Sequence, residues 1–198
     1  MHDKKEIDLF NEIIHGRRST FPYQFVRGKH VPDDIIRQIL ENANRAPNHK
    51  NTEPWRFVVF TGEGLQRFSQ MQAEIYTRFA GNKFKETKLL NLTNYPLMSS
   101  HVVAIGMKRS KEHVVPEVEE IVAIGCAIEN IYLSVNAYGL GGYLSTGGIT
   151  YLDEAKPYFD LDAEDKLIGF FYIGYPANIA ETLSKRDPVA DKAKWIFE

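Results

Sequence analysis

The segment from Val118 to Tyr138 constrains the fold more than any other part of the chain. Its apolar residues, Ile121, Val122, Ile124, Ala127, Ile128, Ile131, Leu133, Val135 and Ala137, spread over nearly every face of a helix. A helix that is apolar all round has to be covered on all sides. A chain of 198 residues, 43% of them hydrophobic, suits one domain spanning residues 1–198 with a sizeable core. It is short of the elements needed to enclose a central helix completely, so part of this helix is expected to face a second copy. Gly125 and Cys126 within it read as small residues that permit close packing, not as chemistry.

The remaining pattern supplies the other layers. Ile7, Phe10, Ile13 and Ile14 make the stripe of a short helix over Ile7–His15 that Gly16 can end. Pro32, Asp33 and Asp34 suit a helix start, and Ile35, Ile36, Ile39, Leu40 and Ala43 follow at helical spacing until Pro47 forces a stop. Trp55–Phe60, aromatic and β-branched, reads as a buried strand, as do Val102–Met107 and Leu167–Gly174. Between the first two strands, Leu65, Phe68, Met71, Ile75 and Phe79 mark a helix. The period then fails from Gly81 to Leu90, which is expected to be mobile. At the C-terminal end Trp195, Ile196 and Phe197 form an apolar cluster that something must cover.

Polar side chains concentrate in two short stretches. Arg45, Asn48, His49, Lys50, Asn51, Thr52 and Glu53 lie on the connection between the second helix and the first strand, at the edge of a core, where sites tend to be built. Arg17, Arg18, Ser19 and Thr20 offer two guanidinium groups and two hydroxyls in four residues, a donor set that matches phosphate oxygens. A third stretch is glycine-rich: Gly139, Gly141, Gly142, Gly147 and Gly148 surround Leu144, Ser145 and Thr146. Glycines there let the main-chain amides of Leu144, Ser145, Thr146 and Gly147 approach a planar ring. Taken alone, the same stretch also reads as a helix stop followed by a strand.

These stretches together resemble the nitroreductase family of flavin enzymes. The family's first motif, Arg-x-Ser followed by Ala-Pro-Ser-x-x-Asn-x-Gln-Pro-Trp-x-Phe, is matched by Arg17, Arg18 and Ser19 and then by Ala46 to Phe57. Asn48 stands where serine is common and Glu53 where glutamine is common. The long helix and its Gly-Leu-Gly-Gly exit match a second landmark. The small branch of NAD(P)H nitroreductases found in enteric bacteria is the most similar in length and in carrying Arg45 and His49.

The resemblance implies an α+β fold with a mainly antiparallel sheet of about four strands flanked by helices, assembled as an intertwined homodimer. It implies FMN as cofactor, NADH or NADPH as donor, and hydride relay to a nitroaromatic, quinone or similar acceptor. It assigns Arg17, Arg18 and Ser19 to the flavin phosphate and ring. The backbone at Leu144, Ser145, Thr146 and Gly147 falls along the isoalloxazine, and Asn48, His49 and Asn51 fall at the same site. Many members carry a lysine shortly after the first motif where this chain has Phe21, so Arg45 is the candidate to meet charge developing at flavin N1 and O2. Lys185 or Arg186 is a further candidate for the phosphate. A dehydrogenase, a dehalogenase or a non-catalytic flavin carrier remains the alternative on this scaffold.

Other classes find little footing. A net charge of −2 gives no footprint for nucleic acid or an anionic membrane. No apolar run has membrane-spanning length. One cysteine, Cys126, and an N-terminus, MHDKKEIDLF, without a signal-peptide core point to the cytoplasm. The histidines at 2, 15, 30, 49, 101 and 113 show no i, i+4 pair, so no metal is expected. Gly62 and Gly64 lack the third glycine of a dinucleotide fingerprint, and Gly148 occupies the position of a P-loop lysine.

Overall fold

In the computed structural model, which describes residues 3–178 and 186–198, four strands form one sheet: β1 (Trp55–Thr61), β2 (His101–Met107), β3 (Gly141–Ser145) and β4 (Lys166–Gly174). Their order is β1-β2-β4-β3 and every pairing is antiparallel. Five helices surround the sheet: α1 (Lys4–Gly16), α2 (Asp33–Ala43), α3 (Glu63–Phe79), α4 (Glu86–Met98) and α5 (Glu117–Ala137). The α+β architecture expected from the sequence is therefore present, and its antiparallel ladder disposes of a Rossmann reading of Gly62 and Gly64. Gly62 instead caps α3 at a positive φ of 53°.

Two-residue periodicity divides the core. Val103, Ile105 and Met107 of β2 join α2 and α5 in one apolar cluster, while Val102 and Ala104 join α3 and α4 in the other. All seven residues of β2 are buried, as a strand covered on both faces must be. The second helix meets the first motif through Trp55, whose Nε1–H donates to Asn44 Oδ1 at 2.8 Å. That bond lets a buried indole close the turn after α2.

One expectation is corrected. The stretch expected to be mobile after residue 81 enters a helix, α4, which continues to Met98 with Pro96 inside it. Its contact with α3 is partly polar: Ser69 Oγ–H donates to Thr93 O at 2.7 Å and Gln72 Nε2–H to Leu92 O at 3.1 Å. Hydrophobic spacing cannot register a helix held by such bonds.

Helix α5 buries Ala123, Ile124, Ala127, Ile131 and Val135 but leaves Val118 62%, Ile121 41% and Val122 61% exposed. Helix α1, capped by Asp3 and Glu6, has no buried residue and presents Ile7, Leu9 and Phe10 to the outside. Trp195, Ile196 and Phe197 are likewise open. Among the described residues no helix is long and apolar enough to cross a membrane.

Candidate functional site

The segment Arg17–Thr20 reaches β3 by backbone pairing: Thr20 N–H donates to Gly142 O at 2.8 Å. A side chain on Gly141 would run into Phe25 and Thr20, and one on Gly142 into Phe171 and Val135. These two glycines therefore serve close packing of the chain on β3, while the open backbone of the strand begins beyond them.

Tyr132, on the inner half of α5, ties the two stretches together. Leu144 N–H donates to its hydroxyl at 3.0 Å, and Ser19 Oγ lies 3.3 Å from the same oxygen. The Arg17 guanidinium sits over its ring at 5.1 Å and 3.9 Å from Glu129 Oε1, with the side chain only 21% exposed. Arg18 Nε–H donates to Gly16 O at 3.0 Å, and Arg18 and Ser19 border a cleft of about 170 Å³. Sequence reasoning did not single out Tyr132. Its only trace there was a hydroxyl among several polar side chains of a mainly apolar helix.

Along the rest of the glycine stretch, Ser145 is buried, Thr146 exposed and Gly147 half-buried. Lys88 of α4 stands directly against Gly147. Its Nζ lies 2.9 Å from where a Cβ on that glycine would be. Burial holds the Lys88 pKa below the usual lysine range, and no carboxylate among the described residues forms an ion pair with it. A half-buried ammonium without a counter-ion, beside a backbone stripped of its side chain, suits an electron-rich ligand edge. Because α4 escaped the hydrophobic period, Lys88 escaped with it.

The second polar stretch packs against the N-terminal part of α5. Residues 49–53 form a tight turn in which Lys50, Asn51 and Glu53 all have positive φ. Asn48 Oδ1 accepts the Glu53 amide at 3.0 Å, and Lys50 Nζ donates to Val114 O at 3.1 Å. His49 Nδ1 pairs with Glu119 Oε2. Asn48 and His49 form one wall of a cleft of about 360 Å³ whose other wall is Val118, Val122 and Cys126. Asn51 is exposed. Arg45, 78% exposed, pairs with Glu41 at 3.0 Å.

The predicted residues thus form two groups. Arg17, Ser19 and Leu144 converge on Tyr132, whereas His49 is anchored at Glu119. Thirteen positions of α5 separate those anchors, about 20 Å at 1.5 Å per residue. Arg186 is exposed, and Lys185 lies outside the described residues.

Comparison with known proteins gives a consistent picture. The model of the Nitroreductase family matches residues 14–175. An Escherichia coli protein with the provisional name NAD(P)H nitroreductase YdjA is 32% identical over 147 residues, covering 74% of this chain and 79% of that one. The crystal structure of a nitroreductase-like family protein from Bacillus cereus superposes with a TM-score of 0.77 at 24% identity, over 94% of this chain and 95% of the other. That of NfnB from Mycobacterium smegmatis, described as an FMN-dependent nitroreductase in complex with NADPH, gives 0.75 at 17% identity, over 97% and 100%.

Proposed function

The chain belongs to the nitroreductase family, and on that premise we propose that it is an FMN-dependent NAD(P)H oxidoreductase. Its acceptors are nitroaromatics, quinones or related electron-poor molecules, and donor and acceptor occupy the site in turn. Each chain contributes one FMN-binding domain, and the working unit is a homodimer. The lone Cys126, free and half-buried, agrees with a cytoplasmic setting.

The observation that carries this reading is the convergence of Arg17, Ser19 and the Leu144 backbone on Tyr132, continued by Lys88 against Gly147. Guanidinium and hydroxyl donors at one end suit a phosphate. A bare backbone with an unpaired ammonium at the other suits the polar edge of a flavin ring. Bound FMN would supply the hydride-transfer chemistry. The chain's own part is positional and electrostatic. Arg17, Arg18 and Ser19 hold the anionic tail, Leu144 to Gly147 line the ring, and Lys88 offsets negative charge at the ring's edge.

The 20 Å between the two polar groups along α5 favours a site completed by a second copy. A partner whose α5 runs antiparallel sets its Asn48, His49 and Asn51 near the Arg17 cluster of the first chain, and brings its Arg45 toward the same opening. It also covers Val118, Ile121 and Val122.

The decisive test is spectral. Purified protein should be yellow, release FMN and not FAD on denaturation, bleach rapidly on addition of NADH or NADPH, and regain colour with a nitroaromatic or a quinone. A flavin that stays oxidised under both nucleotides would make the protein a carrier.

A further inference from the structure

Apart from the residues proposed to hold the flavin, two side chains three positions apart meet a third at the start of β2. His30 precedes α2, Asp33 opens α2 and His101 opens β2. His101 Nε2 lies 3.0 Å and His30 Nε2 3.3 Å from the same atom, Asp33 Oδ1. All three ligand-capable atoms fall within 4.8 Å of one another. Linear spacing concealed the cluster, because seventy-one positions separate the two histidines and their approach depends on how α2 docks beside β2.

We propose that His30, Asp33 and His101 form a binding site for a single zinc ion, with a solvent molecule as fourth ligand. Zinc bonds of roughly 2.0–2.2 Å to nitrogen and oxygen in a tetrahedron set ligand atoms about 3.3 Å apart. Two edges of the cluster already have that length. The third, between the two imidazoles, lies within 4.8 Å, and shortening it requires His30, whose side chain is 58% exposed and packs on the His101 ring at 5.0 Å between centroids, to turn. Two imidazoles and one carboxylate suit zinc or its late first-row neighbours, whereas magnesium and calcium call for oxygen donors throughout.

The surroundings fit a ligand role for His101. Its side chain is 1% exposed, and its second nitrogen, Nδ1, lies 2.9 Å from Ser100 Oγ. The Ser100 hydroxyl also accepts the Val31 amide at 2.7 Å, so the ring orientation is fixed from behind, as metal-bound histidines require. Thr61 is the cross-strand partner of His101. Its Oγ1 is buried without a hydrogen-bond partner, and it borders the same cleft of about 240 Å³ as Asp33 and His101. That leaves one unused hydroxyl oxygen on the cleft where a fourth ligand would enter. A simple His–Asp pair accounts for His101 alone and gives no reason for a second imidazole on the same carboxylate oxygen.

An ion here joins the start of α2 to the start of β2. These ligands come together only in the folded chain, so zinc should raise the thermal midpoint by mass action. The test uses untagged, FMN-loaded protein stripped of metal with a chelator and titrated with zinc chloride by calorimetry. One ion per chain is expected, and cobalt(II) in its place should give the intense visible bands of four-coordinate geometry. His30→Ala and Asp33→Asn, both at exposed side chains, should each weaken zinc at least tenfold, while His113→Ala leaves it unchanged. Absence of a stoichiometric binding event, or equal zinc affinity in His30→Ala and the parent, overturns the proposal.

Discussion

The amide of Leu144 donates to the hydroxyl of Tyr132 at 3.0 Å, joining the glycine stretch to the C-terminal third of α5. Replacing Tyr132 with Phe leaves that amide without its partner and frees the Ser19 hydroxyl. A lost partner for a partly buried donor costs about 1–3 kcal/mol. Because Leu144 is only half-buried, the loss is expected near the lower end, with weaker FMN binding beside it. Urea unfolding of cofactor-free protein reads the first effect and a fluorescence titration with FMN the second. Parent-like values in both would mean that the hydroxyl is dispensable.

Arg17→Ala is expected to weaken FMN retention by about 1.5–3 kcal/mol, the range for a hydrogen bond to a charged group. Arg186→Ala, at an exposed position in the tail, should change it little. A larger loss in the Arg186 variant than in the Arg17 variant would transfer the phosphate assignment to the tail.

Lys88→Met should separate stability from binding. Burial lowers the Lys88 pKa, so the folded protein binds fewer protons than the unfolded one between that lowered value and the ordinary lysine value of about 10.4. Stability of the cofactor-free protein therefore rises with pH across that interval. In Lys88→Met the slope should flatten, the midpoint at neutral pH should rise, and FMN affinity should fall. A variant that loses both stability and flavin would point to Lys88 as a packing residue.

A site shared between chains can be probed by mixing Arg17→Ala with His49→Ala after subunit exchange. A mixed dimer carries one doubly damaged site and one intact one, so activity should recover toward half of the parent value per mixed dimer. If mass spectrometry shows exchange and no activity returns, each site is built within one chain.

Val122→Glu sets a carboxylate on the open face of α5, where Val122 is 61% exposed in the single chain. Sedimentation should find the variant monomeric at micromolar concentration, and it should purify colourless. A yellow dimer would show that the chains meet elsewhere.

The fold was legible where hydrophobic period was strong. The strand at Trp55, the strand at Val102, the helix after Pro32 and the apolar α5 all stand where their patterns indicate. Helix α4 was not legible, since Ser69, Gln72 and Thr93 hold it through hydrogen bonds, and with it went Lys88. The stretches Arg17–Ser19 and Leu144–Gly147 could be singled out by residue type, and the family resemblance supplied their common purpose. That they meet at Tyr132 could not be read, because a hydroxyl among the polar side chains of α5 carries no sign of what it will touch. The histidine cluster was hidden for a related reason. Spacing rules detect ligands on one element, and His101 joins the local pair His30 and Asp33 only where the start of α2 meets the start of β2.

The uncovered side of α5, with Val118, Ile121 and Val122, also bears on how output scales with the quantity of protein made. If that side is closed only by another copy, the number of finished sites grows with the square of chain concentration while copies are scarce, and linearly once they are abundant. Turnover per milligram then falls on extreme dilution although no residue has changed. A cell holding few copies would obtain disproportionately little reduction from them.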